Sequence, residues 1–254
     1  LRVESEERDL LNLGTFATCC GSLNFANGSA TGGLENRSLS DDHVSGKIGL
    51  DYTPSDAILL YGSISRGVKS GGFTAYNTLA PEGLTPFEAE ALTAYEIGFK
   101  TETQNGVFQF NGAAFYYDYS NQQVQSVIYD ANFNAVVGRI GNADESVIQG
   151  VELEAVLRPA DWITIGQNIG YKSGEFEAFL DTDGNASALA GQTVLVDRSG
   201  ESLGLPNLSY QGYITLQHQS SVGSIWSAAF DYSYRDYVYA PSLGEEYGVE
   251  GYWL

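Results

Sequence analysis

Apolar and polar positions alternate along most of this chain with the period of two that a β-strand imposes. In residues 58–65, Ile58, Leu60, Gly62 and Ile64 share one face, and Leu59, Tyr61, Ser63 and Ser65 the other. The run leaves through a basic, glycine-broken exit, Arg66-Gly67-Val68-Lys69-Ser70-Gly71-Gly72-Phe73. The cleanest alternation lies in residues 146–158, where Val151, Leu153, Ala155 and Leu157 oppose Gly150, Glu152, Glu154, Val156 and Arg158. In residues 225–239, Trp226, Ala228, Phe230, Tyr232 and Tyr234 make a continuous apolar-aromatic face backed by Ser227, Asp231, Ser233 and Arg235.

The pattern predicts four hairpins, about eight antiparallel strands, over residues 43–240. Strands 43–52 and 58–73 meet at Thr53-Pro54-Ser55-Asp56, a tight-turn sequence. Strands 91–101 and 107–126 meet at residues 102–106, whose Asn105-Gly106 is a strong hairpin signal. Pro159-Ala160-Asp161 joins 146–158 to 162–171, and residues 220–224 join 206–219 to 225–239. The other connections are long: an excursion from Phe73 to Pro86, a loop over 127–144 and another over 174–205. Residues 1–42 read as a strand end followed by a loop over 15–42, and residues 241–254 as the start of a further loop or strand.

Tight and long connections therefore take turns. Transmembrane β-barrels follow that rule, with short periplasmic turns and long extracellular loops. Hydrocarbon offers no partner for a free N–H or C=O, so only a closed sheet satisfies the backbone there. Glu152 and Glu154, set between apolar neighbours, suit a wet interior; in a sandwich core they would be buried charges without partners. The expected fold is thus all-β: an antiparallel transmembrane barrel, with Val151, Leu153, Trp226 and Phe230 facing lipid and Glu152 and Glu154 facing the lumen.

Composition agrees. Thirty glycines and seventeen tyrosines among 254 residues, with six prolines, describe a helix-poor chain. No stretch approaches the roughly 20 apolar residues of a membrane helix, and the mean hydropathy of −0.16 suits a barrel in which alternate residues meet lipid. A net charge of −20 argues against a nucleic-acid partner. The chain has no methionine and stops in mid-pattern at Gly251-Tyr252-Trp253-Leu254, as expected of part of a longer protein.

Four stretches, in order, carry a resemblance. LLYGSISRGVKSGGF (59–73) resembles the strand-and-exit signature of TonB-dependent outer-membrane receptors. Pro86-Phe87-Glu88 through Ala94-Tyr95-Glu96-Ile97-Gly98-Phe99-Lys100-Thr101 is similar to the family's next strand. Phe115-Tyr116-Tyr117-Asp118-Tyr119, and then Gly141-Asn142-Ala143 with Gln149-Gly150-Val151-Glu152-Leu153-Glu154, resemble the two after it. The resemblance covers about residues 41–239. It implies a segment of a large barrel of the 22-stranded, plugged type, whose plug and TonB-contacting box are not in this sequence. It also implies active uptake of an external nutrient, of the ferric siderophore, corrinoid or saccharide class, driven by the TonB complex through the missing N-terminal region. Outer-membrane lipid and lipopolysaccharide are expected neighbours, with Arg66 and Lys69 as candidates to meet lipopolysaccharide phosphates.

The candidate ligand contacts are Phe73, Tyr76 and Phe133 for stacking, with Asn77 and Arg139 for hydrogen bonding. The competing role for these residues is to order the loops or to sit in an aromatic girdle at the headgroups. Catalysis is not expected. His43 begins a strand, His218 lies near a tight turn, and Gly62-Ser63 lies in a strand rather than at a nucleophile elbow. Gly67 to Gly72 has no following helix to complete a phosphate cradle. Glu152 and Glu154, about 7 Å apart on one strand face, read as lumen wall rather than an acid/base pair. Asp181-Thr182-Asp183-Gly184-Asn185 lacks the ligand spacing and closing Glu of a calcium loop. No cofactor or metal is expected. Cys19 and Cys20, adjacent in the chain, read as a vicinal disulfide in an oxidising compartment in preference to a catalytic pair. Three other readings stand beside the receptor: a passive porin or smaller barrel, a soluble β-sandwich binding module, and an outer-membrane hydrolase.

Overall fold

The computed structural model describes residues 2–12, 15–18, 21–24, 35–74, 85–131, 133–237 and 252–253. Ten strands form one antiparallel sheet in which sequence neighbours are spatial neighbours, apart from two small inserted ribbons. The sheet strands are β1 (Arg2–Asn12), β4 (Glu35–Ser55), β5 (Ile58–Lys69), β6 (Glu90–Glu102), β7 (Phe108–Asp130), β8 (Ala135–Ala160), β9 (Ile163–Ala178), β12 (Leu208–Gln219), β13 (Ile225–Arg235) and β14 (Tyr252–Trp253). β2 (Thr15–Thr18) pairs with β3 (Gly21–Asn24), and β10 (Leu180–Thr182) with β11 (Leu195–Asp197). The helix α1 (Gly184–Ala190) stands between β10 and β11.

The register aligns the alternation seen in the sequence into continuous rows. Tyr52, Leu60, Phe99, Gly112, Leu153, Ile169, Tyr210 and Tyr234 are successive cross-strand partners over eight strands. The adjacent row is Leu59, Lys100, Asn111, Glu154, Asn168, Gln211 and Ser233. A slip of one residue on any strand would exchange these rows, and so the pattern fixes the pairing. One polar residue, Gln167, shares the face of Ile165 and Ile169, and it is satisfied internally. Its Nε2 donates to the carbonyls of Gln211 (3.0 Å) and Asn168 (2.9 Å), and its Oε1 accepts from the Tyr232 hydroxyl.

The apolar face is not packed against a second layer. Ile48, Leu50, Ile97, Trp226 and Phe230 are 62–76% exposed, which is incompatible with a sandwich core and leaves a broad apolar surface in need of a nonaqueous neighbour. The buried hydrophobic residues gather elsewhere. Ala143, Phe176 and Phe179 form a small cluster with Val124 and Leu203 beneath the longer connections.

Several connections differ from expectation. The segment 127–144 is not a loop: β7 and β8 stay in register up to Asp130↔Ala135, and four residues close the tip. Val124, Val127, Ile128, Val136, Val137 and Ile140 keep the segment β-forming, and Asn121, at φ 54°, interrupts without ending it. The expected loop over 15–42 contains β2, β3 and the first part of β4, which pairs with β1. β4 also runs through Pro54 to Ser55 by way of a register shift after Tyr52, so the turn is narrower than residues 53–56. The loop over 174–205 carries the end of β9, then β10, α1 and β11.

Aromatic rings lie over cross-strand glycines at several places in the sheet. A Cβ at Gly98 would meet the Tyr61 ring at 2.6 Å, and one at Gly112 the Phe99 ring at 2.6 Å. Gly166 and Gly212 lie similarly under Tyr213 and Tyr232. At Gly150 the obstruction includes backbone: Tyr171 O at 2.5 Å, with the Phe115 ring at 2.6 Å and Lys172 Cβ at 2.9 Å. The glycines let large rings lie flat against the wall and cover the backbone. We expect Gly150→Ala to destabilise the assembled sheet by about 1–3 kcal/mol. Gly67→Ala, at a position with nothing within 4 Å, should be close to neutral; urea titration of the protein refolded in vesicles distinguishes the two.

Candidate functional site

Two regions combine polar chemistry with a defined shape: the polar face of the sheet, and the layer of loops and extended ribbon at the end with the long connections. On the polar face, Tyr61, Lys100, Asn111, Glu152, Glu154, Asn168, Ser209, Gln211, Ser233 and Arg235 line a concavity of about 610 Å³. Small residues make its floor, because Gly98, Ala113, Gly170 and Ser209 lie in one row between Tyr61 and Arg235. Glu154 accepts from Asn111 Nδ2 at 2.9 Å. The two cations and two carboxylates of this lining balance, and both Glu152 and Glu154 are exposed.

At the long-connection end, the exit that follows β5 folds back across the β7–β8 ribbon. Gly72 and Phe87 exchange two backbone hydrogen bonds, of 3.0 and 2.9 Å, and close the base of the β5–β6 connection. Gly71 is needed for this approach, because a Cβ there would lie 2.6 Å from the Phe87 carbonyl oxygen. Gln123 on β7 then ties both limbs. Its Nε2 donates to the carbonyls of Ser70 (2.9 Å) and Glu88 (3.1 Å), and its backbone N–H donates to Glu90 Oε2 (2.8 Å). Asn142 on β8 repeats the motif, accepting from the Glu88 N–H at 2.8 Å and donating to the Glu88 and Asn121 carbonyls. Beyond them the fully buried Thr74 accepts from the Ile140 N–H through its hydroxyl, at 2.9 Å.

The β10–α1–β11 excursion is held to the same ribbon. Ser126 Oγ donates to Asp181 Oδ1, and Arg198 Nε donates to Asp181 Oδ2 at 2.9 Å while its Nη1 reaches Glu201 Oε2 at 3.1 Å. The Ser199 hydroxyl and N–H hold the Asp197 carboxyl below the usual carboxylate range. Asp183, inside the calcium-like segment, caps α1 instead, accepting from the Ala186 N–H at 2.8 Å.

Of the expected ligand contacts, the Thr74–Ile140 bond brings the chain at Phe73 beside the chain at Arg139. Phe133 is 40% exposed at the ribbon tip. Tyr76, Asn77, Cys19 and Cys20 lie outside the described residues. Arg66 and Lys69 do not form one patch. Arg66 follows the alternation of Ile64 and bonds Thr93 Oγ1 at 3.2 Å, whereas Lys69 follows that of Ser65 and pairs with Glu90. The histidines are at opposite ends of the sheet: His43 pairs with Glu4, and His218 with Trp226 beside a tight turn. Among the described residues no three His, Cys, Asp or Glu side chains gather as a metal site. Sequence reading missed Gln123, Asn142 and Thr74; the one available signal was a cluster of amides in a segment that reads partly as loop.

The sequence model of the TonB dependent receptor-like β-barrel family matches residues 21–254. The chain belongs to that family. It is an outer-membrane barrel segment, with short periplasmic turns and, apart from the four-residue tip of the β7–β8 ribbon, long extracellular connections. Over 123 residues it is 32% identical to a pesticin receptor of Yersinia enterocolitica, a match covering 47% of this chain and 16% of that protein. Among solved structures it resembles the ferric yersiniabactin uptake receptor FyuA from Yersinia pestis, with a TM-score of 0.64 and 20% identity over 87% of this chain and 30% of the other. It also resembles the siderophore receptor PiuA from Acinetobacter baumannii, with a TM-score of 0.61 and 16% identity over 89% of this chain and 30% of the other. The chain thus spans under a third of the length of these relatives.

The amide clamp gives an expected outcome. Gln123→Leu removes a donor from the Ser70 and Glu88 carbonyls, the second of which keeps Asn142, at a cost of about 0.5–1.5 kcal/mol. Hydrogen exchange at the Gly72 and Phe87 amides should accelerate while the barrel itself assembles normally.

Proposed function

We propose that this chain forms part of the wall and mouth of a receptor that captures a small metal chelate of the ferric siderophore class outside the cell and admits it through the barrel. The observation that carries the reading is the combination of an exposed apolar face, a polar concave face, and a layer of extracellular connections pinned into a fixed mouth. Relatives described as a ferric yersiniabactin uptake receptor and a siderophore receptor favour that cargo over corrinoids or saccharides. In this reading Val151, Leu153, Trp226 and Phe230 face lipid, Glu152 and Glu154 face the lumen, and Phe73, Phe133 and Arg139 contribute to the mouth with Tyr76 and Asn77. The chain performs no chemistry on its cargo. Energy comes from the TonB complex through a part of the receptor outside this sequence, and the outer leaflet brings the wall against lipopolysaccharide.

Facing is tested by a pair of substitutions. Leu153→Arg should impair assembly by about 2–4 kcal/mol if mid-membrane, and Glu154→Gln should fold as the parent does; heat-modifiable migration on gels reads both, and equal tolerance would refute the assigned faces. Uptake is tested in cells: deleting the gene should abolish radio-iron accumulation from the cognate siderophore, and deleting TonB should do the same. Accumulation that persists without TonB would make the protein a passive channel.

A further inference from the structure

Arg139 lies on the β7–β8 ribbon, within the extracellular layer. It is partly buried, its Nε has no acceptor, and it makes no ion pair among the described residues. Its surroundings make this notable, because the chain carries 32 carboxylates against 12 Lys and Arg. Its cross-strand partner Ser126 already reaches a carboxylate, Asp181, whose two oxygens are taken by Ser126 and Arg198. A guanidinium N–H withdrawn from water without an acceptor costs free energy, and a nearby acid would relieve it. The group lies over Gly141, where a Cβ would sit 4.0 Å from Arg139 Nε and 3.3 Å from Ser126 Cβ, so glycine leaves room for the side chain to pack there. The backbone that carries it is tied down, since the next residue, Ile140, is bonded to the buried Thr74, and Gln123 and Asn142 hold the neighbouring segments at Ser70 and Glu88.

We propose that Arg139 is a preformed seat for one anionic oxygen group, such as a carboxylate, on the ligand. The proposal rests on the receptor reading and narrows its cargo. The acidic balance of the chain repels a polyanion, whereas a largely neutral chelate bearing a single carboxylate gains a charge-assisted hydrogen bond at Arg139. Residues 70–74 and their clamp then act by positioning, because they set the depth at which the guanidinium sits.

The test uses the full-length receptor in outer-membrane vesicles and two probes, a linear ferric trihydroxamate with a free amine end and its succinylated form, which bears a carboxylate instead. Quenching of intrinsic fluorescence should show the carboxylated chelate binding at least about tenfold tighter, with the preference shrinking as salt rises. In Arg139→Gln the ratio of the two affinities should collapse toward one, and Arg139→Lys should restore part of it. Equal affinities in the parent protein, or a preference that survives in Arg139→Gln, would overturn the seat and leave the receptor intact. Binding of neither chelate, together with no iron uptake by cells, would remove the receptor reading and the seat with it.

Discussion

The structure depends on one constraint, that a backbone crossing hydrocarbon must pair every N–H and C=O within the protein. For this chain the solution is an antiparallel ladder in which each strand of the main sheet pairs with the strands before and after it in that sheet, the two small ribbons being inserted between them. The side-chain rows follow from it. Once Leu60 pairs with Phe99, and Phe99 with Gly112, the placement of Leu153 and Glu154 on opposite faces is settled by the pleat. The same demand accounts for Gln167, a polar group on the apolar face whose amide and carbonyl find their partners in Gln211, Asn168 and Tyr232.

A sheet with few buried residues needs another source of packing, and the cross-strand rings supply it. Tyr61 over Gly98, Phe99 over Gly112 and Tyr213 over Gly166 place large surfaces against bare backbone within the wall itself. This accounts for a chain rich in both glycine and tyrosine whose wall is nonetheless closely packed. The two residue types are complementary halves of one contact, and neither works without the other in register.

At the extracellular end the physics changes. Water is available there, so backbone pairing is no longer obligatory, and side chains decide which connections lie together. The β7–β8 ribbon extends past the sheet and acts as a post. The β5–β6 connection is tied to it by the amides of Gln123 and Asn142, and the β10–α1–β11 excursion by Asp181 and Arg198. Family membership gives the barrel, and these ties give the mouth its particular shape. They also explain the glycine pair that follows β5: Gly72 lies in the bridge to Phe87, and Gly71 permits the close return of the chain.

The eight central strands, their alternation and the approximate positions of the tight turns were legible in the sequence because each is a local property, set by a period of two and by turn residues such as Asn105-Gly106. The two faces were legible for the same reason, since Val151 and Glu152 must part company wherever the strand lies. The extent of the β7–β8 ribbon was not, because Asn- and Gly-containing segments read as loop until a partner strand pairs with them. Nor was the clamp: Gln123 and Glu88 are 35 residues apart, and nothing near either of them names the other. Arg139 could be singled out by its type, but its lack of an acidic partner is a fact about its neighbours in space, which only the folded chain supplies.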